Sequence, residues 1–171
     1  MKKSIIFLDI DGVVNSVVYC KRMDVKYKKE QPLNPFVKEI DPELISRVGR
    51  LATETDSDVV LSSTWKEIWV CPELGKDDFA SILEENNVFI KDITPTTGKG
   101  RPYEIKKWLS EHPEVKYFVS LDDDYPESFY KKHGIGGHTI HTKYWCTEES
   151  EGGFQEKDYL KAKKILKIRR K

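Results

Sequence analysis

A short apolar run that ends in two aspartates and a glycine constrains the fold more than any other feature of the chain. The stretch from Ser4 to Asn15 reads SIIFLDIDGVVN. The apolar residues from Ile5 to Leu8 are typical of a strand that is buried on both faces of a sheet. Asp9 and Asp11 then lie at the carboxyl end of this strand, beside a turn at Gly12. Because ligands bind at the carboxyl ends of parallel strands, the stretch predicts a functional site there.

Strand-like and helix-like segments alternate along the rest of the chain. The predicted strands are Ser4 to Ile10, Asp58 to Leu61, Val88 to Ile90, Tyr117 to Leu121 and His138 to Ile140. The predicted helices are one that starts at Pro42 with Asp41 as its N-cap, Asp77 to Glu85, Pro102 to Glu111 and about Gln155 to Ile168. This alternation predicts an α/β fold with a mostly parallel, five-stranded sheet. A chain of 171 residues has room for one such domain, so we expect residues 1–171 to form a single domain.

The segment from about residue 16 to 40, here called the flap, resists a confident assignment because Pro32 and Pro35 interrupt it. It is either a substrate-contacting flap over the first motif or a solvated excursion between a strand and a helix. Its basic and aromatic residues suit nucleic acid, as does the basic tail, but a net charge of zero favours a solvated face. These residues are Tyr19, Lys21, Arg22, Lys26, Tyr27, Lys28 and Lys29 in the flap, and Lys167 and Arg169 to Lys171 in the tail.

A second polar cluster follows the second predicted strand, in the sequence VVLSSTWKE from Val59 to Glu67. Thr64 and Glu67 have the spacing of a capping box, which predicts a helical turn from Trp65. Backbone amides at such a turn, together with a strand-end hydroxyl, can hold an anion. The alternative is that these hydroxyls only cap the helix.

A third polar cluster, the acidic triplet in YFVSLDDD, ends the strand that begins at Tyr117. An exposed acidic turn is one interpretation. It does not explain why two strand ends both carry acids, and carboxylates that share a site need a positive partner.

Four motifs in this order, FLDIDGVVN, VVLSSTW, RPYEI and VSLDDD, resemble those of the haloacid dehalogenase (HAD) superfamily from Ser4 to about Ile140. In detail the chain is similar to a small capless family that includes phosphatase domains of RNA-repair proteins. The resemblance implies a Rossmann-like three-layer sandwich with the first strand at its centre. It also implies a Mg²⁺-dependent phosphomonoester hydrolase.

The resemblance assigns the acids to two roles. Asp9 would be the nucleophile that forms an aspartyl-phosphate, and Asp11 would be the general acid and base. Mg²⁺ would be held by the carboxylate of Asp9, the backbone carbonyl of Asp11 and the carboxylate of Asp122, with Asp123 in support.

The phosphate-binding roles carry two open alternatives. Ser62 matches the second motif by its place at the strand end, and Ser63 is the alternative one residue later. Arg101 matches the basic residue of the third motif, and Lys99 is the alternative.

The substrate is left open between a phosphorylated small molecule and a nucleic-acid end, so a polynucleotide-end phosphatase is an alternative function. A non-catalytic phosphate-binding module with the same fold is another, although such a module would not need both Asp9 and Asp11. No apolar run approaches the roughly 20 residues of a membrane helix, so we expect a cytoplasmic protein with no membrane partner. Three widely spaced cysteines favour reduced thiols over disulfides or zinc. The oligomeric state stays open.

Overall fold

A five-stranded, all-parallel sheet forms the centre of the computed structural model, which describes residues 4–167. The strands are β1 (Ser4–Leu8), β2 (Asp58–Leu61), β3 (Ile90–Ile93), β4 (Tyr117–Asp122) and β5 (Thr139–His141). Their order across the sheet is β3-β2-β1-β4-β5. The predicted α/β fold is therefore confirmed, and so is the central place of the first strand.

Helices connect the strands. Within residues 4–167 they are α1 (Val17–Lys26), α2 (Pro42–Thr55), α3 (Lys66–Val70), α4 (Lys76–Glu84), α5 (Arg101–Glu111), α6 (Glu127–Lys132) and α7 (Glu156–Lys167). Three 3-10 helices span Pro35–Lys38, Pro72–Leu74 and Glu149–Glu151. All three cysteines are free thiols.

Alternate residues of β1 point to opposite faces of the sheet, as the period of a strand requires. Ile6 and Leu8 join the larger apolar cluster, to which α2, α4 and α7 contribute. Ile5 and Phe7 join the smaller cluster, which contains buried residues of α5 and α6. Helices thus cover both faces of the sheet, and the predicted three-layer sandwich is confirmed.

Several predicted boundaries were wrong, most of them by one or two residues and the end of β3 by three, since it lies at Ile93 instead of Ile90. β1 ends at Leu8 instead of Ile10. β3 begins at Ile90 instead of Val88, because the amide of Val88 donates to the carbonyl of Leu83 and helps to close the end of α4. Val88 is fully buried, as predicted for a strand residue of this sheet, but it does not belong to the strand. The predicted helix end at Ile168 and the basic residues Arg169 to Lys171 lie outside the described residues.

The flap contains a helix that its sequence did not predict. The hydroxyl of Tyr19 on α1 donates to the carbonyl oxygens of Val37 and Ile40, at 2.7 and 2.9 Å. Tyr19 and Met23 are the buried residues of this ten-residue helix. Such a narrow apolar stripe is too weak to show as helical periodicity, and the hydrogen bonds that hold the helix are tertiary.

Phe7 offers a test of the smaller apolar cluster. Its ring is fully buried and lies edge-on to Trp108, with 5.3 Å between the ring centroids. We expect Phe7→Ala to lower the free energy of unfolding by about 3–5 kcal/mol because it removes a large side chain from a packed core. The matched control is Phe89→Ala, since Phe89 is 47% exposed and should change stability by about 0.5 kcal/mol or less. Urea denaturation measures both, and equal losses would contradict this packing.

Candidate active site

The site forms where the carboxyl ends of β1, β2 and β4 lie side by side. Backbone hydrogen bonds continue the ladders one residue past β1 and β2: the amide of Asp9 donates to the carbonyl of Leu121 at 3.1 Å, and the amide of Ser62 donates to that of Leu8 at 2.8 Å. The strand order also reverses between β1 and β4. Parallel α/β sheets bind ligands at such a switch point.

The turn after β1 allows an unusually close approach between two loops. Gly12 has a φ of +69°, and a Cβ placed there would lie 2.2 Å from Cγ of Asp123. Only glycine combines this backbone conformation with the space that the neighbouring carboxylate needs. The glycine of the first motif therefore lets the acids that follow β4 approach those that follow β1.

Four carboxylates converge at this edge. One carboxylate oxygen from each of Asp9, Asp122, Asp123 and Asp124 lies within 4.8 Å of the others. The guanidinium of Arg101 pairs with Asp9 at 2.6 Å, from Nη1 to Oδ2, and the same nitrogen pairs with Asp122. One guanidinium thus faces four acids, which leaves an excess of negative charge.

Burial and the neighbouring acids shift the pKa values of this cluster. Burial raises the pKa of Asp9 to about 7, and the nearby Asp122 carboxylate contributes to this rise. The positive charge of Arg101 lowers the pKa of Asp9, but by less than the other two effects raise it. Burial also raises the pKa of Asp123 to about 7, with further contributions from Asp124 and Asp122. Burial alone would lower the pKa of Arg101, but the adjacent carboxylates hold it above its ordinary value.

The structure separates the two candidate cations. Arg101, the first residue of α5, is buried and paired with the acids. Lys99 is exposed, and its ammonium lies over the ring of Tyr103, 4.8 Å from the ring centroid. Of the two, Arg101 is the residue that is brought to Asp9.

The two candidate serines also point to different neighbours. The Ser62 hydroxyl accepts a hydrogen bond from Oγ1 of Thr94, at 3.3 Å, on the side of β3. The Ser63 hydroxyl interacts with the Asp9 carboxylate in a way that lowers the pKa of that carboxyl, and it accepts from the amide of Trp65 at 3.3 Å. The hydroxyl that shares the space of Asp9 is therefore that of Ser63.

The predicted capping box at Thr64 and Glu67 was wrong. α3 is preceded by Trp65 and has no side-chain cap. The amide of Glu67 instead donates to the backbone carbonyl of Thr64, at 3.2 Å, in a tight turn. The backbone amide of Trp65, just before α3, donates to the hydroxyl of Ser63.

Asp11 is held apart from the four-acid cluster. Its Oδ1 accepts from Nδ2 of Asn15 at 3.0 Å, and its Oδ2 accepts from the indole Nε1 of Trp65 at 2.8 Å. The sequence predicts no functional role for either donor. The position of Asn15 three residues after Gly12 is a usable signal, since its side chain also accepts from the Gly12 amide at 2.9 Å. No sequence signal links Trp65 to Asp11.

Tyr130 is a second residue that sequence reasoning missed. Its hydroxyl donates to Oδ2 of Asp122 and lies 2.8 Å from Oγ of Ser120. Burial and the Asp122 carboxylate together raise the pKa of this phenol. The residue lies on α6, so only the packing of that helix on the sheet brings it to Asp122.

A cavity of about 330 Å³ opens beside Arg101 and Ser63. One wall contains the ammonium of Lys66, which pairs with Glu104 at 2.8 Å and donates to the carbonyl of Pro95 at 3.1 Å. Burial would raise the pKa of Glu104, but the hydrogen bonds from Lys66 and nearby groups hold it below its ordinary value. The cavity is lined mainly by polar and charged residues, among them Asp124 of the acid cluster, so it offers space for a substrate.

Comparison with known families identifies the class. A family model described as the HAD domain in Swiss Army Knife RNA repair proteins matches residues 5–158, and the chain belongs to this HAD family. The suspected resemblance is thereby confirmed, and family membership indicates a phosphatase-type hydrolase. A search of curated proteins found no match, and a search of solved structures found none either. Between residues 4 and 167, no helix is both long and apolar enough to cross a membrane.

The close approach at Gly12 can be tested with a matched pair of glycines. Gly12 and Gly98 have nearly the same φ, +69° and +71°, but a Cβ at Gly98 would meet nothing within 4 Å. Alanine at either position should lower the free energy of unfolding by about 1–3 kcal/mol because of the positive φ. Gly12→Ala also introduces the clash with Asp123. We therefore expect urea denaturation to show a loss of unfolding free energy that exceeds that of Gly98→Ala by at least about 1 kcal/mol. Equal losses would show that the loops do not pack this closely.

Proposed function

We propose that the protein is a Mg²⁺-dependent phosphomonoester hydrolase that acts through an aspartyl-phosphate on Asp9. The observation that carries the proposal is the convergence of Asp9 with a buried guanidinium, a hydroxyl and three more carboxylates at the switch point of the sheet. Phosphoryl transfer requires a nucleophile in line with the leaving group and charge neutralisation around the phosphorus. The family match supports phosphatase-type activity.

The proposed reaction has two steps. In the first, an oxygen of Asp9 attacks phosphorus, the bond to the leaving oxygen breaks, and Asp11 donates a proton to that oxygen. In the second, Asp11 takes a proton from water, which attacks the aspartyl-phosphate and releases inorganic phosphate. Arg101 and Ser63 would hold the non-bridging oxygens in both steps.

The donor set fits Mg²⁺. The carboxylates are hard oxygen ligands close to one another, and their excess negative charge calls for a further cation. We assign the binding to the carboxylates of Asp9, Asp122 and Asp123 and the backbone carbonyl of Asp11, with Asp124 contributing charge. When bound, the ion would neutralise the acids and the phosphoryl oxygens.

A polynucleotide-end phosphatase is the second candidate function. The matched family is described by its place in RNA repair proteins. Exposed lysines of the flap could contact a phosphate backbone, although Arg22 is already paired with Glu149 at 2.9 Å. These lysines are Lys21, Lys26, Lys28 and Lys29.

The first test measures phosphate release, with Mg²⁺ present, from small phosphomonoesters, nucleotides and oligonucleotides with a 5′- or 3′-phosphate. We expect Asp9→Asn to lower the rate by at least about 10³-fold because it removes the nucleophile. Asp77→Asn is the matched control, since Asp77 is an exposed aspartate on α4, and it should leave the rate unchanged.

The oligonucleotide arms of this panel separate the two candidate functions. Preference for one phosphorylated end would favour the polynucleotide-end phosphatase. Binding of phosphorylated ligands by the unaltered chain without any release would contradict the hydrolase and favour a non-catalytic module.

A second test separates metal binding from catalysis. We expect Mg²⁺ to raise the melting temperature of the unaltered chain, because a ligand of the native state stabilises it. Without metal, Asp123→Asn should be at least as stable as the unaltered chain, since it removes one of four clustered negative charges. With Mg²⁺ its gain should be smaller. A variant that is less stable without metal but gains equally from Mg²⁺ would contradict the assignment of Asp123.

A further inference from the structure

We propose that Trp65 and Asn15 are positioning residues that orient Asp11 for proton transfer to the leaving group, an inference that rests on the proposed hydrolase function. Each oxygen of the Asp11 carboxylate accepts one hydrogen bond, at 2.8 Å from the indole of Trp65 and at 3.0 Å from the amide of Asn15. Two donors on opposite oxygens fix the plane of the carboxylate. Since a carboxylate has about four lone-pair sites, each oxygen keeps a site for a proton.

Aromatic packing fixes the Trp65 indole itself. Its ring centroid lies 5.8 Å from that of Phe36 and 5.4 Å from that of Phe79. Phe36 belongs to the flap and Phe79 to α4. The flap therefore reaches the Asp11 carboxylate through the indole of Trp65.

Asn15 fixes the other oxygen from the turn of the first motif. Its side chain is fully buried, donates also to the backbone carbonyl of Glu39 at 2.9 Å and accepts from the amide of Gly12 at 2.9 Å. These contacts leave its amide one orientation, in which Nδ2 faces Asp11. The same residue thus ties Asp11 to the turn and to the end of the flap.

This role makes the cost of losing the indole donor depend on the leaving group. Nitrophenyl phosphate releases a stabilised phenolate that needs little protonation, whereas an alkyl phosphate releases an alkoxide that must receive a proton from Asp11. A misdirected Asp11 should therefore slow the alkyl ester selectively. The appropriate quantity is kcat/KM, because it reports the steps up to departure of the leaving group and excludes hydrolysis of the aspartyl-phosphate.

The experiment compares Trp65→Phe with the unaltered chain on both substrates. Phenylalanine keeps the aromatic packing and removes the N–H donor. We expect kcat/KM to fall by about 10- to 100-fold for the alkyl phosphate, the range for loss of a hydrogen bond to a charged group, and by less than about 3-fold for nitrophenyl phosphate. Trp69→Phe is the matched control, since Trp69 lies on α3 shortly after Trp65 and also packs on Phe79, with 6.3 Å between centroids. It should change neither value.

Two further measurements guard against a purely structural effect. In an Asp11→Asn background, Trp65→Phe should cost nothing more on nitrophenyl phosphate, because the group it orients is gone. In an NMR spectrum of the indole N–H groups of the four tryptophans, Asp11→Asn should shift the Trp65 signal. This second measurement does not require a stable Trp65 variant.

The outcomes are distinct. An equal loss on both esters, no loss on either, or an indole signal that ignores Asp11→Asn would overturn the positioning role while the hydrolase stands. No release from any ester by the unaltered chain would overturn the proposed function, and the positioning role with it.

Discussion

One buried guanidinium among four carboxylates is the interaction on which the rest of the site depends. Arg101 contacts Asp9 after β1 and Asp122 at the end of β4, and so joins the two strands where the sheet order reverses. Buried carboxylates are costly without such a partner, and a single positive charge does not offset all of them. The remaining negative charge is the physical reason that a divalent cation fits here.

The parallel sheet is what allows one arginine to reach both acids. β1 pairs with β2 on one side and β4 on the other, so the residues that follow these three strands meet at one edge. The full burial of β1 on both faces, by Ile6 on one side and Phe7 on the other, holds this edge in register. The packing of the two apolar clusters therefore also fixes the positions of the site residues.

The flap contributes to the site through a buried residue. Four of its lysines are exposed, whereas its buried Phe36 packs on the indole that donates to Asp11. A segment whose composition suggests a solvated excursion thus contributes through its few apolar residues. Sequence reasoning missed this because α1 buries only a narrow stripe and because Phe36 lies in a short 3-10 helix.

The resemblance to the HAD superfamily indicated the central place of the first strand. The sequence by itself determined the α/β fold and the strand ends that carry Asp9, Ser62 and Ser63, and Asp122. These features are local: apolar runs of the right length and acids placed next to a glycine turn. Only the tertiary structure decided that Ser63 and Arg101, rather than Ser62 and Lys99, lie against Asp9, and that Trp65, Asn15 and Tyr130 contact the acids. Neighbouring candidates have the same chemistry and differ in the direction of the side chain. That direction is set by the packing of helices and loops that are distant in the sequence.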